Sequence, residues 1–315
     1  MTQSNIKSSR LSWYVSGLVD AEGSFGVTLV RKESSKIGYS VLIYFEIALN
    51  KKDKQLLEIV KQVLGAARAT GSFAEKSLYY NKKDNTLKLK VSNLDVLINN
   101  VMPHFNKYPL FTQKRVDFLL MCKIIELVQE KRHLTREGLN EILSIKAVMN
   151  LGLSDKLKKE FLTVKSLTRL PVNTGIPNKD WLEGFMEGES CFYVKVYNSP
   201  RSKLNYAVQL VFIITQHSRD KVLLENISTL LECGRVERRK SGEACDFIVR
   251  SFDDFEKYMI PYWENYPLIG NKSKDCLDLK RVYEIMLTKG HLTEEGLTKV
   301  VEIKNSMNTK RDVQV

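Results

Sequence analysis

The chain has 315 residues, 43% of them apolar and 27% charged, enough for one large or two medium domains with sizeable cores. No apolar run approaches the roughly 18 residues of a membrane span. The N-terminal MTQSNIKSSRLSW has no signal-peptide core and is too short and too weakly basic to argue for organelle import.

The net charge of +12 favours a polyanionic partner, nucleic acid ahead of an anionic membrane. The five cysteines (Cys122, Cys191, Cys233, Cys245 and Cys276) form no CxxC, and the four histidines do not cluster. That points away from a zinc site or a disulfide framework and towards a reducing compartment.

In chain order, WYVSGLVDAEGSF (13–25) reads as an apolar helix that ends in two acids, Asp20 and Glu22, and runs into a strand. Acids at a helix C-terminus meet its partial negative charge and are unfavourable unless something compensates. Alternation then predicts strands. Phe25, Val27 and Leu29 alternate with Ser24, Gly26 and Thr28; Ile43, Phe45, Ile47 and Leu49 follow. After a helix over Leu56 to Leu64, Leu87, Leu89 and Val91 alternate with Lys88 and Lys90, so odd residues face the core. Helices are predicted over Lys114 to Val128 and Arg136 to Met149, with Thr135 of HLTREGL as an N-cap and His133 as a structural residue. Residues 151–179, with Pro171, Gly175 and Pro177, read as a connector whose earlier part has room for a short helix.

The rest of the chain repeats the first part. Gly17, Glu22, Phe25, Phe45 and Asp53 recur 167 residues later as Gly184, Glu189, Phe192, Phe212 and Asp220. Further on the offset is 158: Tyr108 of YPL, Lys114, His133 of HLTREGL and Ile145 of IKAVMN recur as Tyr266, Lys272, His291 and Ile303. Such a collinear match predicts two copies of one fold, over 1–150 and 180–315. In the second copy the parity flips. Phe192, Val194, Val196, Val208, Leu210, Phe212 and Ile214 face inward, a helix runs from Val222 to Leu231, and Thr293 is the N-cap. Glu22 and Glu189 both carry outward parity, which places each at the start of the open face of a sheet.

Small residues four apart, Gly17 with Ala21 and Gly184 with Gly188, share a helix face and permit close packing of the two helices. A parallel pairing would bring Glu22, Glu189 and unpaired helix-end carbonyls together. A hard divalent cation would relieve their repulsion, because oxygen ligands are what Mg²⁺ requires.

VSGLVDAEG (Val15 to Gly23) and LEGFMEGES (Leu182 to Ser190) resemble the two motifs of a single-chain LAGLIDADG homing endonuclease. The YPL…K and HLT-x-EGL blocks are similar to those of its fungal mitochondrial, intron-encoded branch, and the resemblance extends from about Ser12 to Asn308. It implies an α+β fold of two pseudo-symmetric αββαββα repeats. The two antiparallel four-stranded sheets would form a saddle over DNA, with the motif helices paired at the interface. It further implies a mitochondrial monomer that binds double-stranded DNA and no membrane, and that hydrolyses both strands at a long asymmetric site. An RNA maturase and a non-catalytic DNA-binding protein are the alternatives on the same fold.

The implied cofactor is Mg²⁺, with Mn²⁺ able to substitute and Ca²⁺ supporting binding but little cleavage. By motif position the metal ligands would be Glu22 and Glu189 with the carbonyls of Ala21 and Gly188; Asp20 and Glu187 fall at an earlier position. Lys114 and Lys272 are the matched cations for developing charge. Gln216 matches a position that organises active-site water, where the first copy has Leu49. Ser190 departs from the motif's final glycine. Outward residues assigned to DNA are Ser24, Thr28, Lys32, Tyr44, Glu46, Arg68, Thr70, Ser72, Lys88 and Lys90 in the first copy. In the second they are Tyr193, Lys195, Tyr197, Gln209, Thr215, Arg235, Glu237, Arg239, Asp246 and Arg250.

Overall fold

In both halves the motif helix runs directly into the first strand. The computed structural model describes residues 3–65, 78–162, 164–172 and 175–308. It divides into two units, Met1–Thr174 and Gly175–Val315, at a point inside the segment expected to connect the copies.

The first unit contains α1 (Gln3–Glu22), β1 (Gly23–Arg31), β2 (Tyr39–Asn50), α2 (Lys54–Val63), β3 (Leu78–Asn81) and β4 (Thr86–Val91). Then come α3 (residues 94–107), α4 (Lys114–Gln129), α5 (Arg136–Lys146) and α6 (Asp155–Glu160). The second unit contains α7 (Lys179–Glu189), β5 (Ser190–Asn198), β6 (Tyr206–His217), α8 (Lys221–Leu231), β7 (Arg235–Arg238) and β8 (Ala244–Val249). It closes with α9 (residues 252–265), α10 (Lys272–Leu287) and α11 (Glu294–Asn305). Each unit has one antiparallel four-stranded sheet, ordered β1-β2-β4-β3 and β5-β6-β8-β7.

Strand alternation sorts most side chains as expected, although Val211 and Ile248 are buried on the outward side. Phe25, Val27, Phe45, Ile47, Leu89 and Val91 are buried in the first unit, as are Phe192, Val194, Leu210, Phe212, Ile214 and Phe247 in the second. Aromatic rings at matched places form each core. Phe25 packs on Phe45 and Phe105 at centroid distances of 5.4 and 5.3 Å. Phe192 packs on Phe212 and Trp263 at 5.1 and 5.2 Å. Each such buried ring contributes about 1.5–3 kcal/mol. Thr135 and Thr293 cap α5 and α11 by accepting from Gly138 N and Gly296 N, each at 3.1 Å.

Three features depart from the sequence reading. The first is a helix before the YPL block in each unit, α3 and α9, each with a π-helical turn, Leu97–Val101 and Phe255–Met259. Pro103 and Pro261 follow these turns at the start of the next α-helical segment. A proline has no N–H and its ring crowds the carbonyl four residues back, so a widened turn lets the helix pass it.

The second is the parity of β3. Its register pairs Leu78 with Leu89 and Tyr79 with Lys88. Odd residues therefore face outward there, against the single odd-inward rule for this copy.

The third is the close docking of residues 151–162 and 164–172 on the first unit. Leu157 and Phe161 pack on Leu29, Tyr39, Leu139 and Leu143. Arg31 Nη2 meets Glu160 Oε2 at 2.9 Å. Arg169 grips both Asp117 oxygens, at 2.8 and 3.1 Å, and donates to the carbonyls of Val148 and Gln113.

Candidate nucleic-acid interface and acidic helix ends

The two acids at each helix end have different work. Asp20 is fully buried and accepts from Phe111 N at 2.6 Å, Thr112 N at 3.2 Å and Thr112 Oγ1 at 2.6 Å. Glu187 accepts from Ile269 N at 2.6 Å and Gly270 N at 2.9 Å. These four backbone donors occupy matched places just after the two YPL triplets. The earlier acid thus binds the loop that leads into α4 or α10. Burial pushes the Asp20 carboxyl up to about 6, against the opposing pull of its hydrogen bonds and Lys114.

That grip fixes the lysine that opens the next helix. Lys114 Nζ donates to the Ala21 carbonyl at 2.7 Å, and Lys272 Nζ donates to the Gly188 carbonyl. Both carbonyls lie in the last turn of a motif helix, where partial negative charge attracts a cation. The later acid follows immediately: Glu22 is exposed and Glu189 half-buried. Each unit by itself therefore presents one carboxylate and one cation-attracting carbonyl. Among the described residues no cluster of three or more acids, histidines or cysteines could hold a metal.

The helix-to-strand turn differs between copies for a local reason. A Cβ at Gly23 would lie 2.6 Å from Val19 Cγ1 and 2.8 Å from Val19 O. The matched residue in α7 is Met186, which has no branch at Cβ. There Ser190 is extended, with φ −84° and ψ 152°, and its hydroxyl donates to Met186 O at 2.5 Å. Serine thus adds a side-chain hydrogen bond to a carbonyl that already accepts the Ser190 backbone N–H.

Two asparagines that end the IKAVMN and IKNSMN blocks brace each first strand. Asn150, at φ 48°, donates from Nδ2 to Phe25 O at 2.8 Å and from its backbone N–H to Asp117 Oδ1 at 3.1 Å. Asn308, at φ 56°, does the same with Phe192 O and Asp275 Oδ1, each at 2.9 Å. The repeat made these asparagines visible in sequence; their long-range partners became visible only in the fold.

Gln216 has the parity of Phe212 and Ile214, the covered side of β6, and pairs with Cys245. It lies two residues beyond the Ser190–Ile214 pair, so it flanks the end of α7. Leu49, at its place in the first unit, belongs to the core.

The open faces carry most of the residues assigned to DNA. In the first unit Glu46 binds Lys88 at 3.1 Å and Lys90 at 3.7 Å, and Lys90 Nζ lies 3.9 Å from the Tyr44 ring centre. Ser24 stands opposite Glu46, and Thr28 is exposed opposite Leu42. Lys32 lies past β1 in the connecting turn. Arg68, Thr70 and Ser72 lie outside the described residues. Tyr79, which the parity rule missed, is 55% exposed on this face beside Lys88 and holds the place of Glu237 in the second unit.

In the second unit Tyr193, Lys195, Tyr197 and Gln209 line β5 and β6, with Lys195 Nζ 5.2 Å from the Tyr197 ring centre. Glu237 takes Arg235 at 2.5 Å and Arg250 at 3.4 Å, and Asp246 takes Arg239 at 2.7 Å. Asp246, expected as an outward DNA-binding residue, keeps that parity but is buried at 9% exposure between Thr215 and Glu237.

The family model for LAGLIDADG endonuclease matches residues 15–125 and 182–283. Two Neurospora crassa proteins named "Probable intron-encoded endonuclease 2" and "Probable intron-encoded endonuclease 3" are 33% and 35% identical over 93% and 91% of this chain. The chain spans 64% and 52% of their lengths. It is also similar to the I-LtrWI LAGLIDADG homing endonuclease solved on its target DNA, with 55% identity, TM-score 0.91, and 96% and 99% of the two chains covered. I-SmaMI, solved on uncleaved DNA with calcium ions, gives 36% identity, TM-score 0.88, and 94% and 98% coverage. Two copies of the motif helix, each leading into a four-stranded sheet and each matched by the family model, make this chain a member of the LAGLIDADG endonuclease family.

Proposed function

We propose that the chain is a site-specific endonuclease that acts as a monomer on double-stranded DNA and cuts both strands at a long asymmetric site with Mg²⁺. The observation that carries this reading is the repeated acid-and-lysine arrangement at the ends of α1 and α7, each at the start of a sheet with a basic open face. The solved relatives bound to target DNA, one with calcium ions, support it. The intron-encoded names of the curated relatives support a mobile intron as its genetic setting, and we place its action in the mitochondrion.

The donor set fits a hard divalent cation. Glu22 and Glu189 offer carboxylates, and Ala21 and Gly188 offer carbonyls that already accept an ammonium. Mg²⁺ commonly takes one or two carboxylates and completes its shell with phosphate oxygens and water. When bound it would supply an acidified water and charge neutralisation at the scissile phosphate. Lys114 and Lys272 hold positive charge at the same helix ends and would neutralise the phosphate as charge develops. Gln216, beside the end of α7, would orient water in the second half, a role Leu49 cannot share. The open-face residues would read base edges and phosphates of the major groove. The decisive experiment incubates the protein with a randomised duplex library and Mg²⁺ and sequences the cut ends. A single recovered sequence family is expected; random ends or no cutting would contradict the proposal.

A further inference from the structure

Thr215, Asp246 and Glu237 lie side by side across β6, β8 and β7 on the open face of the second sheet. Arg239, just past β7, leans over this row. Its Nε donates to Asp246 Oδ2 at 2.7 Å, and its Nη2 donates to Thr215 Oγ1 at 2.9 Å. Thr215 Oγ1 in turn donates to Asp246 Oδ1 at 2.7 Å. Half of the Arg239 side chain remains exposed, against 12% of the Asp246 side chain.

Building on the DNA-reading role proposed above, we propose that Arg239 reads a guanine, and that Asp246 with Thr215 acts as a positioning pair rather than a base contact. The Nε–Nη2 edge of the guanidinium is occupied by this pair. The Nη1–Nη2 edge keeps its donors, and two parallel N–H groups fit guanine O6 and N7. A fork already fixed in place loses less side-chain freedom on binding and tolerates less error in the position of its partner.

Among the described residues the first unit has no such device at the matched places. Ala48 and Lys88 hold the places of Thr215 and Asp246. Lys88 pairs with Glu46 through a flexible stem and a point charge. The second half-site should therefore contain one guanine position read more stringently than its counterpart in the first.

The test uses the target recovered from the randomised library and a panel of duplexes that each change one base pair. Binding profiles and melting temperatures are measured for wild type, Asp246→Asn and Arg239→Lys. Wild type should reject other bases at one guanine position by about five- to 150-fold. Both variants should lose most of that preference, chiefly through weaker binding of the parent duplex, and keep the rest of the profile.

An unchanged profile in Asp246→Asn, or equal relaxation at many positions, would overturn the assignment. Should Asp246→Asn melt early, the exposed Arg239→Lys decides alone, and retention of the guanine preference there would overturn it. Failure to recover any preferred sequence would defeat the endonuclease reading and this assignment with it. A recovered target with an unaltered profile would defeat only the assignment.

Discussion

The two halves share one plan and solve three local problems differently. At the helix-to-strand turn, Val19 forces glycine at position 23, while Met186 leaves room for Ser190. On the helix before the YPL loop, the first half buries His104 against Ser16 at 3.2 Å, and the second has Tyr262, whose hydroxyl donates to Lys179 O at 3.0 Å. On the open face, lysines share Glu46 in one half, and arginines are held by Asp246 and Glu237 in the other. Among the features that do not vary are the acid gripping the YPL loop and the lysine on the helix-end carbonyl. A duplicated fold drifts where either solution closes the packing; retention in both halves marks what the common fold or its chemistry needs.

The largest effect should come from the retained lysines. Lys114→Met and Lys272→Met should each slow cleavage by about 100- to 1,000-fold, the cost of losing one charge donor at a transition state. DNA binding should persist. Single-turnover rates with bound duplex check this, and unequal losses would reveal how far the halves have diverged.

In the first half the buried His104 and Asp20 should give opposing pH responses. Burial holds His104 down to about 4, so it favours the fold above its ordinary value near 6.5 and that stability is lost as pH falls towards 4. Asp20 behaves oppositely. Its contribution is fully present below the ordinary value near 3.8 and is lost as pH rises through about 6. Each is worth about 3 kcal/mol, and the two nearly cancel across pH 4–6. In metal-free buffer, Asp20→Asn should make stability rise with pH more steeply than wild type, and His104→Gln should tilt it the other way. Urea unfolding at several pH values measures both slopes.

A smaller effect belongs to the turns. Gly23→Ala should destabilise by about 1–3 kcal/mol through its clash with the Val19 side chain and carbonyl, and Val19→Met should relieve only the side-chain part of that loss. Ser190→Ala should cost about 1 kcal/mol, one hydrogen bond to Met186 O. Thermal melts of the single and double variants suffice. Smallest of all, Lys195→Ala on the exposed strand face should leave stability within about 0.5 kcal/mol, whereas Val194→Ala beside it should lower it by about 0.5–1.5 kcal/mol or more.

Much of this was legible because duplication supplies an internal control. Alternation placed Phe25 and Phe192 inward and Lys88 and Arg239 outward, and the offset matched Lys114 with Lys272. What stayed hidden was non-local or broke the period. Pro103 and Pro261 interrupted the helix pattern that a π-turn restores. A change of register at β3 concealed Tyr79. Arg169 has no neighbour in sequence that announces Asp117, and the reach of Asn150 to the Phe25 carbonyl depends on the closed fold. Asp246 illustrates the limit of parity: it gives a side chain's direction, but not whether a neighbour such as Arg239 already covers it.

Each half should contribute one indispensable carboxylate, Glu22 in the first and Glu189 in the second. Strand-resolved cleavage of the recovered target by wild type, Glu22→Gln and Glu189→Gln tests it most directly, with binding and melting temperature measured alongside. Both variants should fold and bind DNA, and both should lose double-strand cleavage, because glutamine keeps the shape but not the charge that a hard cation requires. Mg²⁺-dependent double-strand cleavage retained by either folded variant would contradict the claim.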